Sequence, residues 1–539
     1  MTDAPWWRGA VIYQIYPRSF RDSNGDGVGD LPGIIERLDY VASLGVDAIW
    51  VSPFFKSPMA DFGYDIADPR AVDPLFGTLE DFDRLLAKAH GLGLRVMIDQ
   101  VLSHSSTDHA WFLESRESRD NAKADWYVWA DPQPDGTPPN NWMAIFGGVA
   151  WQWEPRRQQY FLHNFLASMP DLNFHNPEVR AAALDNVRFW LDRGVDGLRL
   201  DAINFCFHDA ALRDNPAKPA AERTGRGFSP DNPYAYQYHY FNNTQPENLA
   251  FLEDLRALLD QYPGTAALGE ISSEDSLTTM AEYTQGQRLH MAYSFELLTD
   301  DFSAGYIRDT VRMLETRMPD GWPCWAISNH DVARVLSRWG GPEAPPRLAN
   351  LLTALVCSLR GSVCVYQGEE LGLTEAEVPY EALRDPYGLA FWPTFKGRDG
   401  CRTPMPWDDS DHADFSTGTP WLPIPCDHRR RAVSRQEADP DSTLHGFRHF
   451  MRWRRTEPAL RFGDIAFVDS PEPVLAFTRS FDGQRLLAVF NLGDAPIEFA
   501  LPAGLATARP ANGHGLVEGA LAEGRISLPE HGLIFARLD

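Results

Sequence analysis

Positive charge is scarce in this chain: 49 Lys and Arg stand against 75 Asp and Glu, a formal net charge of −26 over 539 residues. That balance excludes work on polyanions, because nucleic acid and anionic membrane surfaces would both repel it. A neutral small molecule is compatible with it, and most of the acidity serves as a solubilising surface. Cysteine is scarce too. The six thiols, Cys206, Cys324, Cys357, Cys364, Cys401 and Cys426, contain no C-x-x-C pair. This argues against a zinc site or a disulfide framework and for reduced residues in a core. The most apolar long stretch, 348–367, is interrupted by Arg360 and Gly361 and is no membrane span. The start MTDAPWWRGA has neither a basic n-region nor an apolar h-region, so a cytoplasmic location is expected. No internal repeat or low-complexity tail is visible.

What the chain has is alternation. Strand patterns fall near 10–16, 48–52, 94–100, 197–202, 266–271, 292–297, 325–329 and 363–367, with helical patterns such as LEDFDRLLAKAHGLG at 79–93 between them. Eight βα units predict a parallel α/β barrel, whose strands converge their C-terminal ends on one face. Three intervals are too long for simple connections: 104–171, rich in Trp, Asn, Pro and Gly, then 205–246 and 371–425. Loops of that length at the catalytic face are expected to shape a pocket. Beyond about 457 the pattern changes to short alternating runs, such as PVLAFTRS and LLAVFNLG, which predict a small antiparallel β domain. The expected organisation is a barrel over 1–103 and 172–457, an insertion over 104–171 and a C-terminal β-sandwich over 458–539.

The chemistry sits at the strand ends. In GLRLDAIN, 197–204, residues two apart share a strand face, so Arg199 and Asp201 point one way and Leu198 and Leu200 the other. A cation beside Asp201 is expected to keep that carboxylate ionised. Three further apolar runs deliver polar groups at the same end: AALGEIS with Glu270, WAISNHD with His330 and Asp331, and LRVMIDQVLSH with Asp99 and His104. One shared pocket follows. In the loop DSNGDGVGD, 22–30, oxygen donors fall on alternate positions: Asp22, Asn24, Asp26 and Asp30, with the Val28 carbonyl between them. This is similar to the first half of an EF-hand loop, but its twelfth position is Gly33, so the usual bidentate Glu is missing.

The ordered motifs DQVLSH, MPDLN, GLRLDAIN, GEIS and SNHD resemble those of the α-amylase superfamily, glycoside hydrolase family thirteen. Within it the chain is most similar to the oligo-1,6-glucosidase branch, and particularly to α-glucosyl transfer enzymes that act on maltose. The resemblance implies a (β/α)8 TIM barrel with an inserted domain B and a C-terminal antiparallel β domain. It implies an exo-acting retaining α-glucosidase that passes glucose to water, sugars or alcohols, with Asp201 as nucleophile and Glu270 as acid, then base. The apolar AALG run before Glu270 offers the low-dielectric site that an acid needs. Asp331 would be the third carboxylate, Arg199 would hold Asp201, and His104 and His330 would bind sugar hydroxyls. In DFGYDIAD, Asp61 and Tyr64 match a subsite for one glucose, and Arg398 of KGRDG would pair with Asp61 to close it. Phe146 and Phe165 would lie beside the leaving group. The family also places a structural Ca2+ or Mg2+ in the 22–30 loop and uses no organic cofactor.

Partners are then an α-glucoside and an acceptor, with no nucleic acid or membrane, and the chain works as a monomer or homodimer. In similar enzymes a Val after the nucleophile accompanies α-1,6 specificity. Ala202 at that position therefore implies a preference for α-1,4 linkages. Two other readings compete. One is a sucrose or maltose isomerase on the same scaffold, disfavoured because no RLDRD-like string follows the eighth strand; the other is a non-catalytic relative, disfavoured because all three carboxylates are present.

Overall fold

The structure is a computed structural model that describes residues 4–223, 231–505 and 507–538. Part of the long 205–246 loop, residues 224–230, lies outside the described residues. Eight parallel strands form the centre: β1 Val11–Ile15, β2 Ala48–Val51, β3 Arg95–Val101, β4 Gly197–Asp201, β5 Ala266–Ile271, β6 Met291–Ser294, β7 Cys324–Ala326 and β8 Ser362–Tyr366. They neighbour one another in the order β6-β5-β4-β3-β2-β1-β8-β7, and a bridge between Ala292 and Pro323 closes the sheet into a barrel.

Strand alternation sorts the side chains. Val11, Tyr13, Ile49 and Val51 face the outer core shared with the helices, while Ile12, Ala48, Trp50, Met97, Leu268 and Met291 fill the interior. The expected helix at 79–93 is observed as Leu79–Gly91, opened by a capping box between Thr78 and Asp81. Gly93 follows at φ 79°, in the left-handed region where glycine is unstrained.

Two strands end earlier than the sequence pattern implies. β6 stops at Ser294 and passes into a 3-10 turn, Phe295–Leu297. β7 stops at Ala326, and the Asn329 side chain accepts the N–H groups of Asp331 and Val332. That turn takes the backbone out of the ladder and leaves His330 and Asp331 at the barrel mouth.

Within 104–171, a three-stranded antiparallel sheet of Trp129–Ala130, Trp151–Glu154 and Gln159–Leu162 packs its own small core of Val128, Trp142, Trp151 and Leu162. A bridge from His104 to Asp171 ties both ends of this segment together. At the C-terminus a five-stranded antiparallel sheet, built around Val474–Phe481, Gln484–Asn491 and Leu533–Leu538, faces a three-stranded one. Val474, Leu487 and Ile534 meet Phe499, Ile526 and Leu528 between the sheets. The opposite face, with Leu475, Phe477, Phe490 and Phe535, joins the outer core of the barrel. Arg479, fully buried, crosses this seam and donates to the carbonyls of Ser358, Leu359, Leu460 and Gly463.

Candidate active site

On β4, Leu198 and Leu200 enter the outer core and Arg199 turns into the barrel with no exposed surface. The β3–β4 register sets Asp99 directly opposite Arg199. The Arg199 guanidinium then serves three carboxylates. Its Nη1 lies 2.9 Å from Asp99 and 2.6 Å from Asp201, and its Nη2 lies 2.6 Å from Glu270. Nη2 also donates to the Tyr293 hydroxyl at 2.8 Å, and the Trp50 ring lies 4.7 Å from the guanidinium carbon.

This arrangement bears on the expectation that the cation beside Asp201 keeps that carboxylate ionised. Burial pushes Asp201 up to about 7, and Asp99 adds to that rise against the pull of Arg199. Burial likewise raises Asp99 to about 6 and Glu270 to about 7, with Arg199 opposing in both cases. One cation divided among three buried acids cannot hold them all ionised, so the group shares a proton near neutrality and titrates as a unit. Glu270 accepts from the Ala202 N–H and from the Tyr293 hydroxyl, both at 3.1 Å, which fix its carboxyl beside Asp201. Ala202 reaches this position in the left-handed conformation, φ 39° and ψ 44°.

A second Arg works differently. Arg398 Nη2 lies 2.7 Å from Asp61 and 2.8 Å from Asp385, and its Nη1 lies 3.1 Å from Asp331. Arg402 adds a contact to Asp331 at 3.0 Å. Burial favours the neutral acid at Asp331, but His330, Arg398 and Arg402 outweigh it and hold the carboxyl far below the usual range. For Asp385 the contest between burial and Arg398 settles at about 2. Gly397, at φ 80°, makes this approach feasible: a Cβ there would stand 2.7 Å from an Asp385 oxygen.

His330 links the two groups. Gln14 Nε2 lies 2.8 Å from its Nδ1, the Tyr64 hydroxyl lies 2.6 Å from its Nε2, and Tyr64 in turn donates to Asp99 at 3.1 Å. The Tyr64 and His330 rings stack in parallel at 5.2 Å. Burial lowers His330 to about 3 and His104 to about 4, so both present neutral imidazoles able to donate and accept.

These groups open into one cavity of about 790 Å3, lined by Asp61, Tyr64, His104, Phe146, Phe165, Asp201, Glu270, His330, Asp331 and Arg398. Of the residues assigned from sequence to catalysis and sugar binding, Arg199 alone is not among its lining residues; it lies under the floor. Phe146 lies 5.1 Å from the Arg398 guanidinium carbon and 5.5 Å from the Tyr387 ring, which places it by the wall as well as the mouth. Phe165 packs against His104 at 4.8 Å and Phe205 at 5.3 Å. Sequence reasoning missed Asp385, Arg402, Tyr387, Tyr293, Trp50 and Gln14. Asp385 was discoverable from the DPYG string as a helix-capping Asp, and it does accept the Tyr387 N–H; its ion pairs with Arg398 carry no local signal.

The 22–30 loop lies outside the residues that line the cavity. Asp22 accepts the N–H groups of Asn24, Gly25 and Gly27 and is buried, and Asp26 accepts that of Val28. Asp30 caps the helix Leu31–Ser43 by accepting from Gly33 at 2.7 Å. A Cβ on Gly33 would stand 2.0 Å from the Arg21 carbonyl, so the twelfth position has no room for the EF-hand Glu. Among the described residues, no group of three or more His, Cys, Asp or Glu is placed to hold a metal ion. Two of the five donors here are neutral oxygens, from Asn24 and Val28, and the carboxylates are turned towards the loop's own N–H groups.

A parallel barrel with carboxylates gathered at its strand ends is an enzyme scaffold, and the chain belongs to the alpha-amylase family: the model of the "Alpha amylase, catalytic domain" matches residues 14–463. Among relatives, it is 55% identical to a protein of Rhizobium meliloti (strain 1021) named "Probable alpha-glucosidase", over 99% of this chain and 98% of that one. The crystal structure of the alpha-glucosyl transfer enzyme XgtA is 69% identical and superposes with a TM-score of 0.98 over 100% of both chains. The trehalulose synthase MutB from Pseudomonas mesoacidophila MX-45 shares the fold at 32% identity, with a TM-score of 0.88 over 100% of both chains.

Proposed function

We propose that this chain is an exo-acting, retaining α-glucosidase that also transfers glucose to hydroxyl acceptors. The observation that carries this is the single Arg199 fork bridging Asp201 and Glu270 at 2.6 Å each. One fork keeps the two carboxyls close, as in retaining enzymes, where they stand about 5–5.5 Å apart. Asp201 attacks the anomeric carbon while Glu270 gives its proton to the glycosidic oxygen, and the leaving sugar departs. Glu270, now a carboxylate, takes a proton from water or an acceptor hydroxyl as that oxygen displaces Asp201. Two inversions give net retention. Asp331 stays ionised throughout and accepts from sugar hydroxyls, more strongly as the ring flattens towards the oxocarbenium-like transition state.

The Asp61–Arg398–Asp385 contacts wall one end of the cavity, so a single terminal glucose fits there and a chain interior does not. Maltose is the expected donor, since the small Ala202 side chain leaves room beside the scissile oxygen. Incubation with maltose, followed by chromatography and anomer-resolved NMR of the first product, tests the assignment. α-Glucose with longer glucosides is expected. Rearranged disaccharides without glucose would instead identify an isomerase, and unchanged maltose would leave a non-catalytic relative.

The 22–30 oxygens are proposed to hold a structural Ca2+ or Mg2+, supported by three carboxylates and two neutral oxygens within nine residues. Chelation, or Asp22→Ala, is expected to lower Tm more than activity. No Tm change, with no metal in the purified protein, would leave the loop as a turn that stabilises itself. No described helix is long and apolar enough to cross a membrane. A cytoplasmic location is proposed on the scarcity of cysteine, six in 539 residues with no C-x-x-C pair.

A further inference from the structure

Gln14 stands on β1 with 1% of its surface exposed, and no step of the proposed mechanism uses it. Its Nε2 lies 2.8 Å from His330 Nδ1 and 3.1 Å from Ser52 Oγ. Among the described residues, its Oε1 has no hydrogen-bond partner. With Nε2 towards His330 and Ser52, one buried carbonyl oxygen goes unpaired; the reverse orientation would bury two N–H donors without acceptors, the rarer case in folded proteins. Gln14 therefore donates, and Nδ1 accepts.

The other ring nitrogen gives the same answer. His330 Nε2 lies 3.2 Å from Asp331 Oδ2 and 2.6 Å from the Tyr64 hydroxyl, whose own hydrogen points to Asp99 at 3.1 Å. A bare Nε2 would set its lone pair against the Asp331 carboxylate, whereas an Nε2–H faces two acceptors. Tyr16, stacked on the ring at 5.6 Å, and Trp50, edge-on at 6.2 Å, keep the two nitrogens from changing places.

Resting on the glucosidase reading above, we infer that Gln14 is a positioning residue: by donating to Nδ1 it holds His330 in the Nε2–H tautomer, so that the ring meets the sugar as a donor beside the acceptor Asp331. A sugar hydroxyl satisfies both, because it accepts from the imidazole and donates to the carboxylate. Gln14 is not among the residues that line the cavity and acts through His330. Without it, Nδ1 is left buried with no partner and the ring loses its anchor at that nitrogen.

Neutron diffraction from crystals of the wild type locates the hydrogen and does not depend on any activity. It should show hydrogen on Nε2 and none on Nδ1; hydrogen on Nδ1 would overturn the inference. Gln14→Glu puts an acceptor of the same length beside the ring and should bring a hydrogen to Nδ1, and a bare Nδ1 in that variant would show that residue 14 does not govern the tautomer. The kinetic arm compares Gln14→Leu with the wild type on 4-nitrophenyl α-glucoside and its 2-, 3-, 4- and 6-deoxy analogues. No 4-nitrophenol from the wild type would sink the glucosidase reading and leave the neutron result standing. In Gln14→Leu, kcat/KM on the parent glucoside should fall about tenfold, on the order of one hydrogen bond. That loss should nearly vanish on the deoxy analogue that lacks the hydroxyl served by His330, since two changes to one coupled contact do not add. A loss spread evenly over every donor, as a merely structural defect would give, or no loss at all, would overturn the inference.

Discussion

Arg199 and Arg398 each hold three carboxylates around one cavity, yet Asp99, Asp201 and Glu270 shift in the opposite direction to Asp331 and Asp385. Around Arg199 the acids are pushed up, Asp99 to about 6 and Asp201 and Glu270 to about 7. Around Arg398, Asp385 is pulled down to about 2 and Asp331 further. Burial acts on both. The difference is the supply of positive charge: Arg402 reinforces Arg398 at Asp331, whereas Arg199 is the sole cation in its cluster. Three contacts to one guanidinium therefore leave the first group protonated near neutrality and, with Arg402 added, the second charged; on the proposed mechanism the first supplies the acid and the second accepts from sugar hydroxyls. Pair counts say little about protonation unless the field of the second cation is included.

The contrast is tested hardest by removing the proton-storing pair. Asp201→Asn should lower turnover on all α-glucosides by about four orders of magnitude or more while leaving binding intact, because an amide cannot form the glycosyl ester. Glu270→Gln should abolish maltose cleavage but still release 4-nitrophenol from an aryl glucoside in a first burst, since that leaving group needs little protonation. Equal loss on both donors would reassign Glu270. In the wild type, kcat/KM on maltose should fall above about pH 7, where Glu270 gives up its proton, and this limb should flatten with the aryl donor.

Next in size is the wall. Arg398→Leu leaves Asp61 and Asp385 buried without their shared cation, so stability should drop by about 3–5 kcal/mol and the KM for maltose should rise. Arg398→Lys should recover part of the stability but less of the affinity, because an ammonium cannot serve three carboxylates as a fork does. A normal KM in the folded Lys variant would count against the wall.

The stability effects of single neutral isosteres should carry opposite signs in the two groups. Asp201 has a raised folded pKa, so its ionisation opposes folding; that penalty grows from about pH 4, the unfolded value, to about 7 and is constant above it. Asp201→Asn should therefore raise Tm at pH 8, by the equivalent of about 1 kcal/mol or more, and hardly change it near pH 4. Asp385 is depressed, so its contribution is present above about pH 4 and lost as pH falls through about 2. Asp385→Asn should lower Tm at pH 7. Shifts of the same sign would refute the contrast. Thermal melts at the two pH values decide it.

The smallest effect concerns Ala202. A Val there should shift kcat/KM from maltose towards isomaltose by about 1–3 kcal/mol of discrimination. The left-handed backbone at this residue adds a general cost for a β-branched side chain. Activity on both sugars should thus fall, and only the ratio tests the steric idea. An unchanged ratio would move linkage choice to the 205–246 loop.

Strand ends are legible because an apolar run closed by Asp, Glu or His is a local pattern, and all eight barrel strands overlap the spans that periodicity gives, although β6 and β7 end earlier. Arg199 and Asp201 are legible as a pair for the same reason. Asp99 is visible as a motif residue, but its bond to Arg199 depends on the register between strands a hundred residues apart, which no local pattern encodes. Arg402 and Asp385 lie on the irregular 371–425 segment, where no periodicity says which way a side chain turns. The protonation of the cluster escapes a sequence reading for a related reason: the sequence displays the Arg beside Asp201 but hides the two other acids that compete for it.

The Arg479 clamp bears on how this protein can be cut and recombined. The carbonyls of Ser358, Leu359, Leu460 and Gly463 depend on that one side chain from the C-terminal sheet, and the face beneath it shares the barrel's apolar core. A chain truncated at the sequence boundary near 458 would leave the Ser358 and Leu359 carbonyls without their Arg479 donor, remove Leu460 and Gly463 altogether, and uncover a broad apolar surface. The catalytic barrel is thus no interchangeable cassette, and grafts from relatives should keep barrel and tail together or carry the arginine across with its sheet.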